Sequence, residues 1–177
     1  MVKSSSMNTS AQGRPCVSLR VASEADTVQI AEFVASIARR GDIIALSGDL
    51  GAGKTVFARG FIRSLAGRQQ DVPSPTFTLL QVYDAEPAPI YHFDFYRIET
   101  PQEVWELGFD EAPTEGIVLI EWPERLGPLT PADRLAITIS ALPDAGEAER
   151  HIAIAAGASW GERLRAAAAA LQRYRDD

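Results

Sequence analysis

A chain of 177 residues is long enough for one self-sufficient core, in which roughly 70% of the unfolded surface becomes buried. Its single cysteine, Cys16, excludes an internal disulfide and any cysteine-based zinc cluster, and fits a reducing compartment. The formal net charge of −7 argues against autonomous binding to nucleic-acid phosphates, which requires a basic field.

Residues 1–16, polar and without an apolar central run, read as a flexible lead and neither a signal peptide nor a membrane anchor. One domain over 17–177, cytoplasmic and without membrane association, is expected. A strand at 17–21 leads to Ser23, which can N-cap a helix with Asp26 three residues on; Ile30, Val34 and Ile37 then share a face, and Gly41 ends the helix. The apolar run Ile43-Ile44-Ala45-Leu46 predicts a strand.

Directly after that strand stands Gly48-Asp49-Leu50-Gly51-Ala52-Gly53-Lys54-Thr55, a complete G-x-x-x-x-G-K-T phosphate loop, followed by a helix from Thr55 to about Ala66 with Gly67 at its C-cap. Glycine leaves the backbone free to turn successive N–H groups toward an oxyanion, and the helix adds its positive dipole end. Lys54 is expected to reach the β- and γ-phosphates of a nucleotide, and Thr55 to ligand a magnesium ion.

Ser74-Pro75-Thr76-Phe77-Thr78 follows the helix. Thr76 is either a γ-phosphate or magnesium contact, or one of several capping hydroxyls in a proline-stiffened loop. The runs at 78–83 and 90–95, separated by too few residues for a crossover helix, predict an antiparallel hairpin. The alternation through 92–97 puts His92, Asp94 and Tyr96 on one face; Asp94 is a candidate for the magnesium shell or for orienting water, and His92 reads as a hydrogen-bonded structural residue. Arg97 either neutralises transition-state charge or pairs with a carboxylate. Thr100-Pro101-Gln102-Glu103 is a capping box that starts a short helix stopped by Gly108.

Ile117-Val118-Leu119-Ile120 is apolar throughout, as a strand buried on both faces requires, and Glu121 closes it. An acid there is placed to hold magnesium or position water. Strands at 135–140 and 151–155 flank a Pro/Gly/Asp turn, and Ser159 with Glu162 caps a last helix. Its cluster Arg163, Arg165, Arg173, Arg175 reads as a solvated face. The fold class is α/β: a P-loop NTPase-like mixed sheet flanked by helices, with antiparallel strands beside the parallel core.

In this order and spacing, GDLGAGKT, SPTFTL, YHFDFYR and IEWPERL resemble the TsaE family, the bacterial P-loop ATPases of tRNA threonylcarbamoyladenosine biosynthesis. The resemblance implies ATP and Mg2+ as cofactors, Thr55 and Glu121 as magnesium ligands, and Asp94 as a functional acid. It also places Glu24 and Arg150 near the nucleotide base. Catalytic candidates are thus Lys54, Glu121, Asp94 and Thr76. The partners implied are a TsaD-type threonylcarbamoyl transferase and a TsaB-type protein, with tRNA reached indirectly through them. A small-molecule P-loop kinase, or a nucleotide-gated module without hydrolysis, are the rival readings.

Overall fold

In a computed structural model, which describes residues 8–9, 15–142, 146 and 148–175, the chain forms a mixed β-sheet covered by helices. The strands are β1 (Asn8–Thr9), β2 (Pro15–Val21), β3 (Ile43–Ser47), β4 (Leu80–Tyr83), β5 (Ile90–Asp94), β6 (Ile117–Glu121), β7 (Leu135–Ala141) and β8 (Arg150–Ala156). Their order across the sheet is β1-β2-β8-β7-β3-β6-β5-β4. β3 pairs in parallel with β6 and β7, and β5 in parallel with β6; the β4–β5 hairpin and the β7–β8–β2 side are antiparallel. The expected α/β class with a parallel core and antiparallel flanks is what is seen.

Two pieces of the stretch assigned to the lead, Asn8–Thr9 and Pro15–Cys16, lie in strands, paired with each other; the rest of that stretch and half of the turn between β7 and β8 fall outside the described residues. No helix among the described residues is long and apolar enough to cross a membrane.

Helix α1 (Glu24–Ile37) starts where predicted, Ser23 accepting from the Asp26 backbone N–H at 3.2 Å. Its buried residues Thr27, Ile30, Ala31, Val34 and Ala35 follow the spacing of one helical face. It ends at Ala38, short of Gly41, because the Asp42 carboxylate takes the Arg39 N–H at 2.7 Å and draws the chain out of the helix. Helix α2 (Lys54–Ala66) buries Phe57, Phe61 and Ile62 on the same side of the sheet, each large side chain contributing roughly 1.5–3 kcal/mol. A Cβ on Gly60 would sit 3.2 Å from both the Ala31 Cβ and the Val28 Cα, so this glycine sets how closely the two helices approach.

The opposite face of β3, β5 and β6 carries a second cluster built on Phe93, Phe95, Val104, Phe109, Val118 and Ile120. It is covered by 3-10 turns at Pro101–Leu107 and Pro123–Leu129 and by the short helix α3 (Ala112–Glu115). β6 is thus buried on both faces, which explains its unbroken apolar sequence.

The chain closes with α4 (Gly161–Ala167) and a 3-10 segment, Ala168–Tyr174. The expected Ser159 cap is not formed: Trp160 precedes the helix, the Ser159 N–H goes to Asp133 at 3.2 Å, and its carbonyl accepts from Arg163. Arg165 and Arg173 are exposed, as a solvated face requires, but Arg175 is half-buried beside Leu19 and Arg163 is not part of such a face. It grips Asp42 with two parallel 2.7 Å hydrogen bonds, donates to the Ile37 carbonyl and lies 4.3 Å from the Trp160 ring centroid. With 13% and 7% of the two side chains exposed, the pair is nearly desolvated. Arg163→Ala should cost about 2–4 kcal/mol, because it leaves a buried carboxylate without its partner; urea unfolding curves measure it.

Candidate functional site

β3 delivers the chain into the loop 48–53, and α2 carries it away. Gly48 has φ +144°, and a Cβ there would meet the Ile139 carbonyl oxygen of neighbouring β7 at 2.2 Å. The loop therefore passes against a strand backbone that only glycine permits. Gly53, at φ +111°, turns the chain into α2 in a conformation that L side chains rarely adopt.

Lys54 opens the helix and is 5% exposed. Its ammonium donates to the Gly48 carbonyl at 2.5 Å and the Asp49 carbonyl at 2.8 Å, and lies 3.7 Å from the centroid of the Trp122 ring. Burial pushes its pKa below the ordinary lysine range, opposed by Glu121, Glu124, Asp94 and Asp49, whose charges raise it. Trp122 reaches this place because its own backbone is left-handed, at φ 61°, which turns the chain immediately after β6.

The parallel register brings the acids together. Asp94 pairs with Glu121 at the ends of β5 and β6, and Glu121 pairs on its other side with Leu46 of β3. Each carboxylate is 2% exposed. Glu121 accepts from the Thr55 hydroxyl at 2.9 Å through Oε2, and its Oε1 lies 2.9 Å from His92 Nε2. Asp94 accepts from Thr76 at 2.9 Å, Ser74 at 3.2 Å and the Tyr96 backbone N–H at 2.9 Å. The loop 74–76 is thereby fastened to the strand end.

One cavity of about 510 Å³ joins these groups. Of the residues singled out in the sequence, Leu50, Gly51, Ala52, Gly53, Lys54, Thr55, Thr76, Asp94, Glu121, Glu24 and Arg150 all line it. Gly48 and Asp49 stand behind the lining and present their carbonyls to Lys54. Arg150 comes from β8 and donates to the Ala52 carbonyl at 3.0 Å, which ties the loop to the antiparallel side of the sheet.

Arg97 has no carboxylate partner among the described residues. It is exposed and stacks on Phe77 at 4.4 Å, outside the cavity lining. Ser74, Tyr96 and Trp122 line the cavity and were not among the candidate residues; the serine–proline–threonine triplet and the alternation through Asp94 were the signals for the first two.

Among the described residues, no group of three or more His, Cys, Asp or Glu could hold a metal with protein ligands alone. Magnesium in phosphate-transfer sites takes one or two side-chain oxygens and completes its shell with phosphate and water. The Thr55 hydroxyl and Glu121 carboxylate, in contact and facing the cavity, are a donor set of that kind.

The chain is similar to known proteins. The family described as threonylcarbamoyl adenosine biosynthesis protein TsaE matches residues 21–152. The chain is 41% identical over 146 residues to the tRNA threonylcarbamoyladenosine biosynthesis protein TsaE of Bacillus subtilis, spanning 82% of this chain and 89% of that one. It is 42% identical over 120 residues to the protein of the same name from Rickettsia conorii, spanning 68% and 69%. The crystal structure of Bacillus subtilis YdiB aligns with a TM-score of 0.70 and 34% identity, covering 90% of this chain and 96% of that one.

Proposed function

Because the chain belongs to the TsaE family and so serves tRNA threonylcarbamoyladenosine biosynthesis, we propose that it is a magnesium-dependent ATPase which supports that modification by acting on a TsaB–TsaD-type threonylcarbamoyl-transfer complex. The observation that carries the ATPase reading is the Thr55–Glu121 hydrogen bond, 2.9 Å, which joins the phosphate-loop hydroxyl to a strand-end acid inside one cavity.

In this reading the backbone N–H groups of residues 48–55 and the α2 dipole hold the phosphates, while Lys54 exchanges the loop carbonyls for β- and γ-phosphate oxygens. Thr55 and Glu121 would hold the magnesium ion, which would supply neutralising charge to the phosphates. Asp94, kept in place by Ser74 and the Tyr96 N–H, and Thr76 beside it, would orient a water molecule toward the γ-phosphorus. The new P–O bond forms to that water as the bond to the bridging oxygen breaks, and the water's proton passes to the phosphate product or to solvent, giving ADP and phosphate. Such transfers depend on positioning and charge rather than on a strong base. Glu24 and Arg150, which also line the cavity, would border the base.

The indirect route to tRNA is supported by charge. A net charge of −7 disfavours direct binding to nucleic-acid phosphates, so basic partners would supply that contact. The purified protein should release phosphate from ATP slowly, and faster once the cognate TsaB–TsaD pair is added. Unchanged turnover with that pair present would remove the coupling from the proposal. Running the assay with small-molecule acceptors separates the kinase reading, since a kinase consumes ATP in proportion to acceptor phosphorylated.

A further inference from the structure

We infer that His92 is a positioning residue for the Glu121 carboxylate, holding one oxygen so that the other stays directed at Thr55 and the magnesium ion. The inference rests on the reading of Glu121 as a magnesium ligand.

His92 lies on β5, in register with Leu119 of β6, two residues before the Asp94–Glu121 pair. Its side chain is 0% exposed, and its one hydrogen bond runs from Nε2 to Glu121 Oε1 at 2.9 Å. Nδ1 is buried with no partner. Leucine would fill such a core position without burying an orphaned nitrogen, so space-filling does not account for the imidazole. What the ring adds is the Nε2 contact. A ring that donates from Nε2 leaves Nδ1 as a bare lone pair, which is less costly to bury than an unpaired N–H.

The two oxygens of Glu121 are thereby divided. Oε1 is occupied from below by His92, and Oε2 meets Thr55 on the cavity side. Without the imidazole, rotation about the terminal bond of Glu121 would exchange the oxygens, and the metal-facing geometry would be one of several. Partners that orient metal ligands in this way typically change metal affinity by about 10–100-fold when removed.

The test compares the wild type with His92→Leu, His92→Gln and Glu121→Gln. Binding of a non-hydrolysable ATP analogue is measured by calorimetry across a magnesium titration and in EDTA, with turnover as a second readout. His92→Leu should raise the half-saturating magnesium concentration about tenfold or more. Its analogue affinity in EDTA should stay within about twofold, and its loss should appear in kcat more than in KM for ATP. His92→Gln, whose amide nitrogen extends to a similar reach, should restore most of the magnesium curve. If the leucine variant does not melt cooperatively, His92→Asn, which keeps polarity but stops short of Oε1, takes its place. A wild-type magnesium curve in His92→Leu or His92→Asn, with the curve shifted in Glu121→Gln, overturns the inference alone. A glutamine variant as impaired as leucine overturns it too. No shift in Glu121→Gln removes the magnesium role of Glu121 and the inference with it.

Discussion

Glu121→Ala is expected to lower ATP turnover by about 10²–10³-fold, some 3–4 kcal/mol of transition-state stabilisation, while nucleotide affinity in EDTA stays near the wild-type value. The carboxylate is 2% exposed, ends the buried strand β6 and contacts the phosphate-loop residue Thr55. Its loss should therefore touch the reacting end of the nucleotide and leave the base and ribose end unaffected. The alanine also strips the buried His92 Nε2 of its partner, a cost of about 1–3 kcal/mol to stability, whereas the Thr55 hydroxyl faces the cavity and can be hydrated. Glu121→Gln fills the same volume and separates the two effects. Equal loss of binding and turnover in both variants would make Glu121 a structural residue. Phosphate release and equilibrium nucleotide binding, measured on the same preparations, decide between these.

The second large effect is expected from a single methyl group. Gly48→Ala places a Cβ 2.2 Å from the Ile139 carbonyl oxygen at φ +144°, so both the contact and the backbone conformation forbid it. The obstacle is a strand backbone in β7, which cannot rotate away as a side chain can. Left-handed strain of about 1–3 kcal/mol adds to the displacement of β7 or of the loop, for a total of about 3 kcal/mol or more. In a domain of this size that corresponds to a fall of roughly 6–12 °C in the unfolding midpoint, with nucleotide binding lost because the N–H groups no longer converge. By contrast, Gly51 has no atom within 4 Å of an added Cβ, so Gly51→Ala meets only its φ of +77° and should cost less. A thermal melt of the pair checks the ranking; equal midpoints would show that the β7 contact yields.

Much of this was readable in the sequence, for identifiable reasons. The phosphate loop announces itself because its glycines, lysine and threonine are each required by backbone or charge. β6 could be read because burial on both faces leaves only apolar residues until Glu121. The capping box at Thr100 was correct in position, though the segment it starts is a 3-10 turn. What escaped was long-range. Arg163 reads locally as one of four arginines on a surface helix; its partner Asp42 lies 121 residues earlier, and no local pattern links them. The failed Ser159 cap has the same origin, since Asp133 and Arg163 claim that residue's backbone groups first. Trp122 was visible as a residue but not as the cover over Lys54, because that role depends on one left-handed backbone turn.

The pairing of Asp94 with Glu121 across β5 and β6 has a consequence for what can vary in such a protein. Adjacent strands in a sheet lie about 4.8 Å apart, and hydrogen-bonded register fixes the level at which each ends. The gauge between the two acids is therefore a dimension of the sheet, not of any loop. Insertions in the β4–β5 turn or between β5 and β6 would leave it untouched, whereas slipping either strand by one residue would turn its acid to the opposite face. Segments around the cavity can change in length and sequence while the two carboxylates keep their spacing.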